Sequence, residues 1–300
     1  MTAMLEARGL TKCYGRRLAL SDCTVSIPPN RVVGLVGHNG AGKSTLLQLS
    51  TGLVAPSSGS IEVFGERPGG SPEQLARVGF VAQDAPVYAG LSVAEHLRLG
   101  ARLNPRWDAG LAEARVHQLG LDPGQRAGRL SGGQRAQLAL TVAAGKRPDL
   151  LILDEPVAAL DPLARRVFLQ NLMEFVAEQH TSVILSSHLI TDLERVCDYL
   201  VLLSGSRLQL AGEVEDLIAG HYRLTGPRRD PADLPGTMEV IQAEHTDRQS
   251  TFIVRSDVPV PGLDWSVEHL ELEDLVLTYM TRAVSGAGVA SAVRESGVAR

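Results

Sequence analysis

Short apolar runs recur along the chain, each too short for a buried helix and each followed by a polar or helical stretch. Val32-Val33-Gly34-Leu35-Val36, Val78-Gly79-Phe80-Val81-Ala82-Gln83, Leu150-Leu151-Ile152-Leu153-Asp154, Ser182-Val183-Ile184-Leu185-Ser186 and Leu200-Val201-Leu202-Leu203 are of this kind. A run apolar on consecutive residues predicts a strand buried on both faces. Residues 4–8, 18–27 and 60–64 read as further short strands, and Ser57-Ser58-Gly59 and Gly65 bound the last. Between about 84 and 148 the period changes. Apolar residues fall at helical spacing over 92–103 and 107–119, with breaks at Asn104-Pro105 and Asp122-Pro123-Gly124. A further helix is predicted after Asp161, its N-cap, with Pro162 at the first position and Phe168, Leu172, Phe175 and Val176 on the buried face. Strands alternating with helices predict an α/β fold with a parallel sheet covered on both sides and a helical insertion.

From about residue 221 the pattern weakens. Pro227, Pro231, Pro235 and Gly236 read as a linker, 237–244 and 250–255 as paired strands, and 271–283 as an amphipathic helix. Residues 284–300 are rich in Gly, Ala and Ser with no aromatic, and are expected to be a disordered tail. The expected division is 1–220 as the main domain, with its helical part at about 84–148, then 221–283 as a small α+β accessory region.

Composition narrows the function classes. With 300 residues, 44% hydrophobic and 21% charged, the chain reads as a folded soluble protein. The net charge of -5 implies no general affinity for nucleic acid or anionic lipid. Cys13, Cys23 and Cys197 lack C-x-x-C spacing and are expected to be reduced thiols in a cytoplasmic protein. The N-terminus has no apolar signal region, and no apolar run reaches the ~18 residues of a membrane span. Direct membrane insertion is not expected, so any membrane role must come through a partner.

One stretch carries strong chemistry. Gly37-His38-Asn39-Gly40-Ala41-Gly42-Lys43-Ser44-Thr45 fits G-x-x-x-x-G-K-[ST] and lies between a predicted strand and a predicted helix, the context that phosphate binding requires. Glycines let the backbone close on a ligand, Lys43 reaches β- and γ-phosphates, and the Ser44 hydroxyl suits Mg²⁺. Leu150–Glu155 is an apolar strand ending in two acids. Beside a phosphate loop, Asp154 is placed to hold Mg²⁺ and Glu155, past the strand end, to polarise a water. Leu130-Ser131-Gly132-Gly133-Gln134 opens an Ala-rich helix; by itself it is a serine N-cap, and such a helix start is also an anion site.

Taken in order, these motifs resemble the ATP-binding cassette (ABC) ATPases, the nucleotide-binding subunits of ABC transporters, over residues 4–215. The match comprises 37–45, Gln83, Ser131–Gln134 with Leu130, Asp154-Glu155, Ala159-Leu160-Asp161-Pro162 and His188. The resemblance implies a P-loop NTPase core with an N-terminal antiparallel β subdomain and a helical subdomain, hydrolysing ATP with Mg²⁺. It implies that Tyr14 stacks on adenine, Gln83 contacts Mg²⁺ and the attacking water, Glu155 is the general base and His188 contacts the γ-phosphate. It further implies that Ser131, Gly132, Gly133 and Gln134, with Asp161, serve the ATP site of a second cassette, in a homodimer or a cassette heterodimer. An integral membrane permease is the implied partner, received by Asp84–Tyr88 and Leu91–Val93, which would hold the chain to the inner face of the cell membrane. Residues 270–280 look like the end of many bacterial single-cassette subunits, particularly drug or antibiotic exporters. The alternative weighed is a soluble ABC ATPase acting on DNA or ribosomes. No sustained heptads and no second cassette accompany this one, which counts against it.

Overall fold

The computed structural model describes residues 2–83, 87–260 and 265–295, with side chains described as far as Ala283. It opens with an antiparallel pair, β1 (Leu5–Tyr14) and β2 (Arg17–Ile27), turned at Gly15. Then β3 (Val32–Val36) feeds the glycine loop and α1 (Lys43–Ser50). β4 (Ser58–Val63) returns to the free side of β1, so the N-terminal sheet has the order β2-β1-β4. A short helix, α2 (Pro72–Arg77), leads into β5 (Val78–Val81), which stops before Gln83.

The helical insertion comprises α3 (Val93–Leu103), α4 (Ala109–Gln118) and α5 (Gly132–Gly145). Ser92 and Glu95 form a reciprocal capping box at the start of α3, and Asn104 ends it ahead of Pro105. Trp107 lies over two glycines. A Cβ on Gly100 would approach its ring to 2.4 Å, and one on Gly145 to 2.8 Å. The indole is thus clamped between α3 and α5 because both helices present bare backbone there.

The main sheet continues with β6 (Leu150–Asp154), α6 (Pro162–Gln179), β7 (Ser182–Ser187), the single turn α7 (Ile190–Leu193), β8 (Tyr199–Ser204) and β9 (Arg207–Glu213). Its strand order is β5-β6-β7-β3-β8-β9, parallel from β5 to β8, with β9 antiparallel at the edge. The four central strands are buried along their whole length, as consecutive apolar residues require. Their side chains divide by alternation. Val33, Leu35, Leu150, Ile152, Ile184, Val201 and Leu203 face α1 and the N-terminal sheet. Val32, Val36, Leu151, Leu153, Val183, Leu185, Leu200 and Leu202 face α5, α6 and the C-terminal region.

That region departs most from the sequence reading. After α8 (Val214–Ala219) the chain forms β10 (His221–Pro227), β11 (Met238–His245), β12 (Gln249–Ser256) and β13 (Ser266–His269), an antiparallel sheet in the order β11-β12-β10-β13. The two paired strands at 237–244 and 250–255 are present. The stretch read as a linker from Pro227 instead ends a strand and then makes a 3-10 turn at Pro231–Asp233, capped by Asp230. Prolines sit at the strand end and turn start, where no ladder hydrogen bond is lost. Helix α9 (Leu272–Glu295) runs past the expected end at 283, through most of the segment expected as a disordered tail. That stretch is alanine-rich and proline-free, so propensity allows the helix to continue; residues 296–300 lie outside the described residues. Leu272, Leu275, Val276 and Tyr279 of α9, with Ile241 and Ile253, belong to the same core cluster as Leu200, Leu202, Leu210 and Leu217.

Candidate functional site

The strand order places β3 between β7 and β8, with β6 beyond β7. Sheet register keeps their carboxyl ends level. Asp154 of β6 lies opposite Ser186 of β7, which lies opposite Leu35 of β3. A crevice beyond the carboxyl ends of parallel strands is where open α/β sheets bind ligands.

The loop after β3 is shaped by what its backbone approaches. A Cβ at Gly37 would lie 2.4 Å from the Leu203 carbonyl oxygen, and one at Gly42 2.6 Å from that of Ala19. Gly40 and Gly42 also have φ of 84° and 107°, which side chains resist. The Ala41 N–H donates to His38 O at 3.0 Å and closes the turn, leaving His38, Asn39 and Gly40 exposed at its crest. His38 Nδ1 donates to Asn39 O at 2.9 Å. Gly42 caps α1 with no side chain, so the first N–H groups of the helix have no side-chain acceptor. This is a cradle for an anion. Ser44 and Thr45 are half-buried on the first turn of α1.

Four side chains converge on it. Lys43 is 5% exposed; its Nζ donates to Gly37 O at 2.7 Å and lies 3.1 Å from Glu155 Oε1. Glu155 Oε2 lies 3.1 Å from His188 Nδ1, on an imidazole that is 44% exposed. Burial pushes the Glu155 carboxyl up, but hydrogen bonding and charge from Lys43, then from His188, outweigh it and hold the group below the usual carboxylate range. Asp154 is 4% exposed, and its Oδ1 accepts from Ser186 Oγ at 2.8 Å. The same Ser186 oxygen accepts the Glu155 N–H at 2.8 Å. Glu155 itself sits at φ 45°, in the left-handed region that a glutamate rarely adopts.

The expected residues thus fall into two groups. Lys43, Asp154, Glu155 and His188 meet at the loop. Ser131–Gln134 and Asp161 meet elsewhere. Ser131 and Gln134 form a capping box at α5, and Asp161 Oδ1 caps α6 by accepting from the N–H groups of Leu163 (3.0 Å) and Ala164 (2.9 Å). A Cβ at Gly133 would come within 3.1 Å of Ala164, so the two helix starts lie side by side. Among the described residues, no hydrogen bond or ion pair joins this second group to the first. Tyr14 is exposed at the end of β1 with Lys12 Nζ 5.0 Å from its ring centre. Gln83 is exposed just beyond β5, and Asp84–Pro86 lie outside the described residues. Of the remaining docking residues, Val93 is fully buried, Val87, Leu91 and Ser92 are half-buried, with Ser92 engaged in its cap, and Tyr88 is 65% exposed. Ser186 was not anticipated, because a serine inside an apolar strand carries no motif.

The donors fit Mg²⁺. The Ser44 hydroxyl, Asp154 carboxylate and Gln83 amide are hard oxygen ligands. Among the described residues no three acids, histidines or cysteines form an all-protein metal cage. Mg²⁺ is ordinarily held by one or two carboxylates together with substrate phosphates, so this is the pattern it needs.

The model of the family described as ABC transporter matches residues 20–158. The chain is 37% identical over 226 residues to the Nod factor export ATP-binding protein I of Cupriavidus pinatubonensis, covering 73% of this chain and 69% of that one. It is 31% identical over 274 residues to the phosphonates import ATP-binding protein PhnC of Rhizobium etli, covering 83% and 97%. A solved structure of the ATP-binding subunit of an ABC transporter superposes with a TM-score of 0.64 at 30% identity, over 72% of this chain and 92% of that one.

Proposed function

The chain belongs to the ABC transporter family and is an ATP hydrolase that uses ATP with Mg²⁺, and from that premise we propose that it drives an exporter whose permease is a separate chain. The observation that carries the ATPase part is the continuous contact Lys43–Glu155–His188 at the anion cradle. Among the described residues Lys43 is the ammonium that Glu155 pairs with, and a substrate phosphate competes for it. ATP binding therefore frees Glu155 to accept a proton from the attacking water, while His188, already beside that carboxylate, contacts the γ-phosphate. Ser44, Asp154 and Gln83 would hold Mg²⁺, which would supply positive charge against that developing on the phosphate oxygens. Tyr14 offers its exposed face to adenine.

Ser131, Gly132, Gly133, Gln134 and Asp161 act on the ATP of a second cassette. What supports this is the exposure of Ser131, Gly132, Gln134 and Asp161 and the separation of the group from the chain's own Lys43 cluster. ATP then adds contacts across the dimer that ADP lacks, and hydrolysis releases them. The permease docks on the groove between β5, α3 and α5, a space of about 260 Å³ lined by Phe80, Val87, Tyr88, Leu99, Leu103 and Val142. Among the described residues no helix is long and apolar enough to cross a membrane. Attachment to the inner face of the membrane therefore comes through that docking.

Export is favoured over import by the relative named for Nod factor export, which has the higher identity of the two described above. The test is reconstitution of the chain with its permease in vesicles. ATP-dependent movement of substrate away from the cassette side supports export, and movement only toward it refutes export. For the dimer, Glu155→Gln should bind ATP, stop turning over and remain dimeric by light scattering; a monomer in saturating ATP sinks the shared-site reading.

A further inference from the structure

Two residues of the reactive group depend on one hydroxyl. Ser186 is fully buried. Its Oγ donates its proton to Asp154 Oδ1 at 2.8 Å and accepts the Glu155 N–H at 2.8 Å, so the donor and acceptor capacities of the hydroxyl are both used. Both bonds cross from β7 to the end of β6, at the point where sheet pairing puts Asp154 opposite Ser186. The second bond ties down the N–H of a residue at φ 45°. A left-handed glutamate is strained and persists only where its surroundings hold it. One residue past the end of the same strand is His188, which faces the Glu155 carboxylate. Ser186 therefore touches the carboxylate proposed for Mg²⁺ and the backbone of the proposed base, on the strand that delivers the histidine.

We infer that Ser186 is a positioning residue for ATP hydrolysis, fixing which Asp154 oxygen is left for Mg²⁺ and holding Glu155 in its left-handed turn; this rests on the assignment of Asp154 and Glu155 above. The hydrogen bond from Ser186 fixes the carboxylate plane of Asp154, and the twin oxygen would be the one free for the metal. Without the hydroxyl the carboxylate can rotate, and the Glu155 N–H loses a buried acceptor. Loss of such a supporting hydrogen bond typically costs about 10- to 100-fold in metal affinity.

The experiment measures binding of a non-hydrolysable ATP analogue to the full chain with and without Mg²⁺, beside steady-state hydrolysis. In the parent, Mg²⁺ tightens the analogue. Ser186→Ala should lose about tenfold or more of that gain, leave metal-free binding unchanged and lower kcat. Ser186→Cys keeps the volume without a strong hydrogen bond and should behave alike, which covers the case of an alanine variant that folds poorly. Ser186→Thr restores the hydroxyl and should restore the gain. Thr181→Val is the structural control. Thr181 Oγ1 bonds Pro148 O at 3.1 Å at the opposite end of the same two strands, so its loss should lower Tm and leave the Mg²⁺ gain intact. An undiminished Mg²⁺ gain and kcat in both Ser186→Ala and Ser186→Cys overturns the inference. Asp154→Asn separates the two levels: if it keeps the Mg²⁺ gain, the Asp154 assignment itself fails, whatever Ser186 does.

Discussion

At the scale of single residues, the proposed mechanism turns on competition for one buried ammonium. Lys43 bonds the Gly37 carbonyl and Glu155 at once, inside a loop whose glycines leave no room for other side chains. Lys43→Ala should therefore abolish hydrolysis in a phosphate-release assay, and turnover at the parent rate would refute the phosphate-loop assignment. The same change removes the larger of the two forces holding the Glu155 carboxyl low. What remains is burial, which raises it, and His188, which lowers it. Most of this cluster was legible in the sequence, because a phosphate loop needs glycines and a lysine at fixed spacing, and acids at a buried strand end are conspicuous. Ser186 was not legible. Its importance comes from sheet register, which sets two strands over 30 residues apart in sequence side by side. No local pattern encodes that.

At the scale of elements, the helical insertion and α9 are each secured by a few contacts. Trp107 fills the space left by Gly100 and Gly145, and a Cβ at Gly100 would overlap a rigid ring. Gly100→Ala should cost about 1–3 kcal/mol by overpacking, read as a lower Tm together with a red-shifted tryptophan emission as the indole is displaced. Leu275 is fully buried within the core cluster shared by α9 and the main sheet. Leu275→Ala should cost about 2–5 kcal/mol in chemical denaturation. The starts of α5 and α6 were legible from Ser131 and Asp161, and α3 and α4 from their apolar period, whereas α2 and α7 are too short to show one. β9, β10, β13 and α8 were not, because their mixed polar and apolar residues carry no clear period until tertiary pairing selects a face.

At the scale of the whole molecule, the C-terminal sheet and the cassette meet at a buried histidine. His221 is 1% exposed, donates from Nδ1 to Leu217 O at 2.6 Å and accepts at Nε2 from the Tyr279 hydroxyl at 2.9 Å. Burial holds its pKa below the ordinary 6.5, with nearby Arg255 acting in the same direction and the Leu217 carbonyl and Glu239 opposing. The unfolded chain therefore binds this proton more readily than the folded one. The stability contributed is full above pH 6.5 and is lost as pH falls from there through the depressed folded value. Thermal unfolding from pH 8 to pH 5 should show Tm falling below about pH 6.5, and His221→Gln should flatten that part of the curve; an identical slope in the variant would discard the linkage. A second tie lies near the reactive site. The Glu273 N–H at the start of α9 donates to Glu194 Oε1 at 3.2 Å, and Glu194 directly follows the turn α7 that His188 leads into.

The shared core also bears on how the molecule can be recombined with its relatives. One face of the C-terminal sheet closes over its own cluster of Leu224, Phe252 and Val254. Its other face, through Ile241 and Ile253, joins α9 in completing the layer beneath Leu200, Leu202 and Leu210. A chimera joined at residue 220 would transplant half of a hydrophobic layer and leave the other half to pack against a foreign sequence. A junction before Tyr199 would keep that layer together but would part β8 from its partner strand β3 and the Leu203 carbonyl from Gly37 of the loop. Neither cut is clean, so a C-terminal region exchanged between relatives has to bring matching residues at Leu200, Leu202 and Leu210 with it.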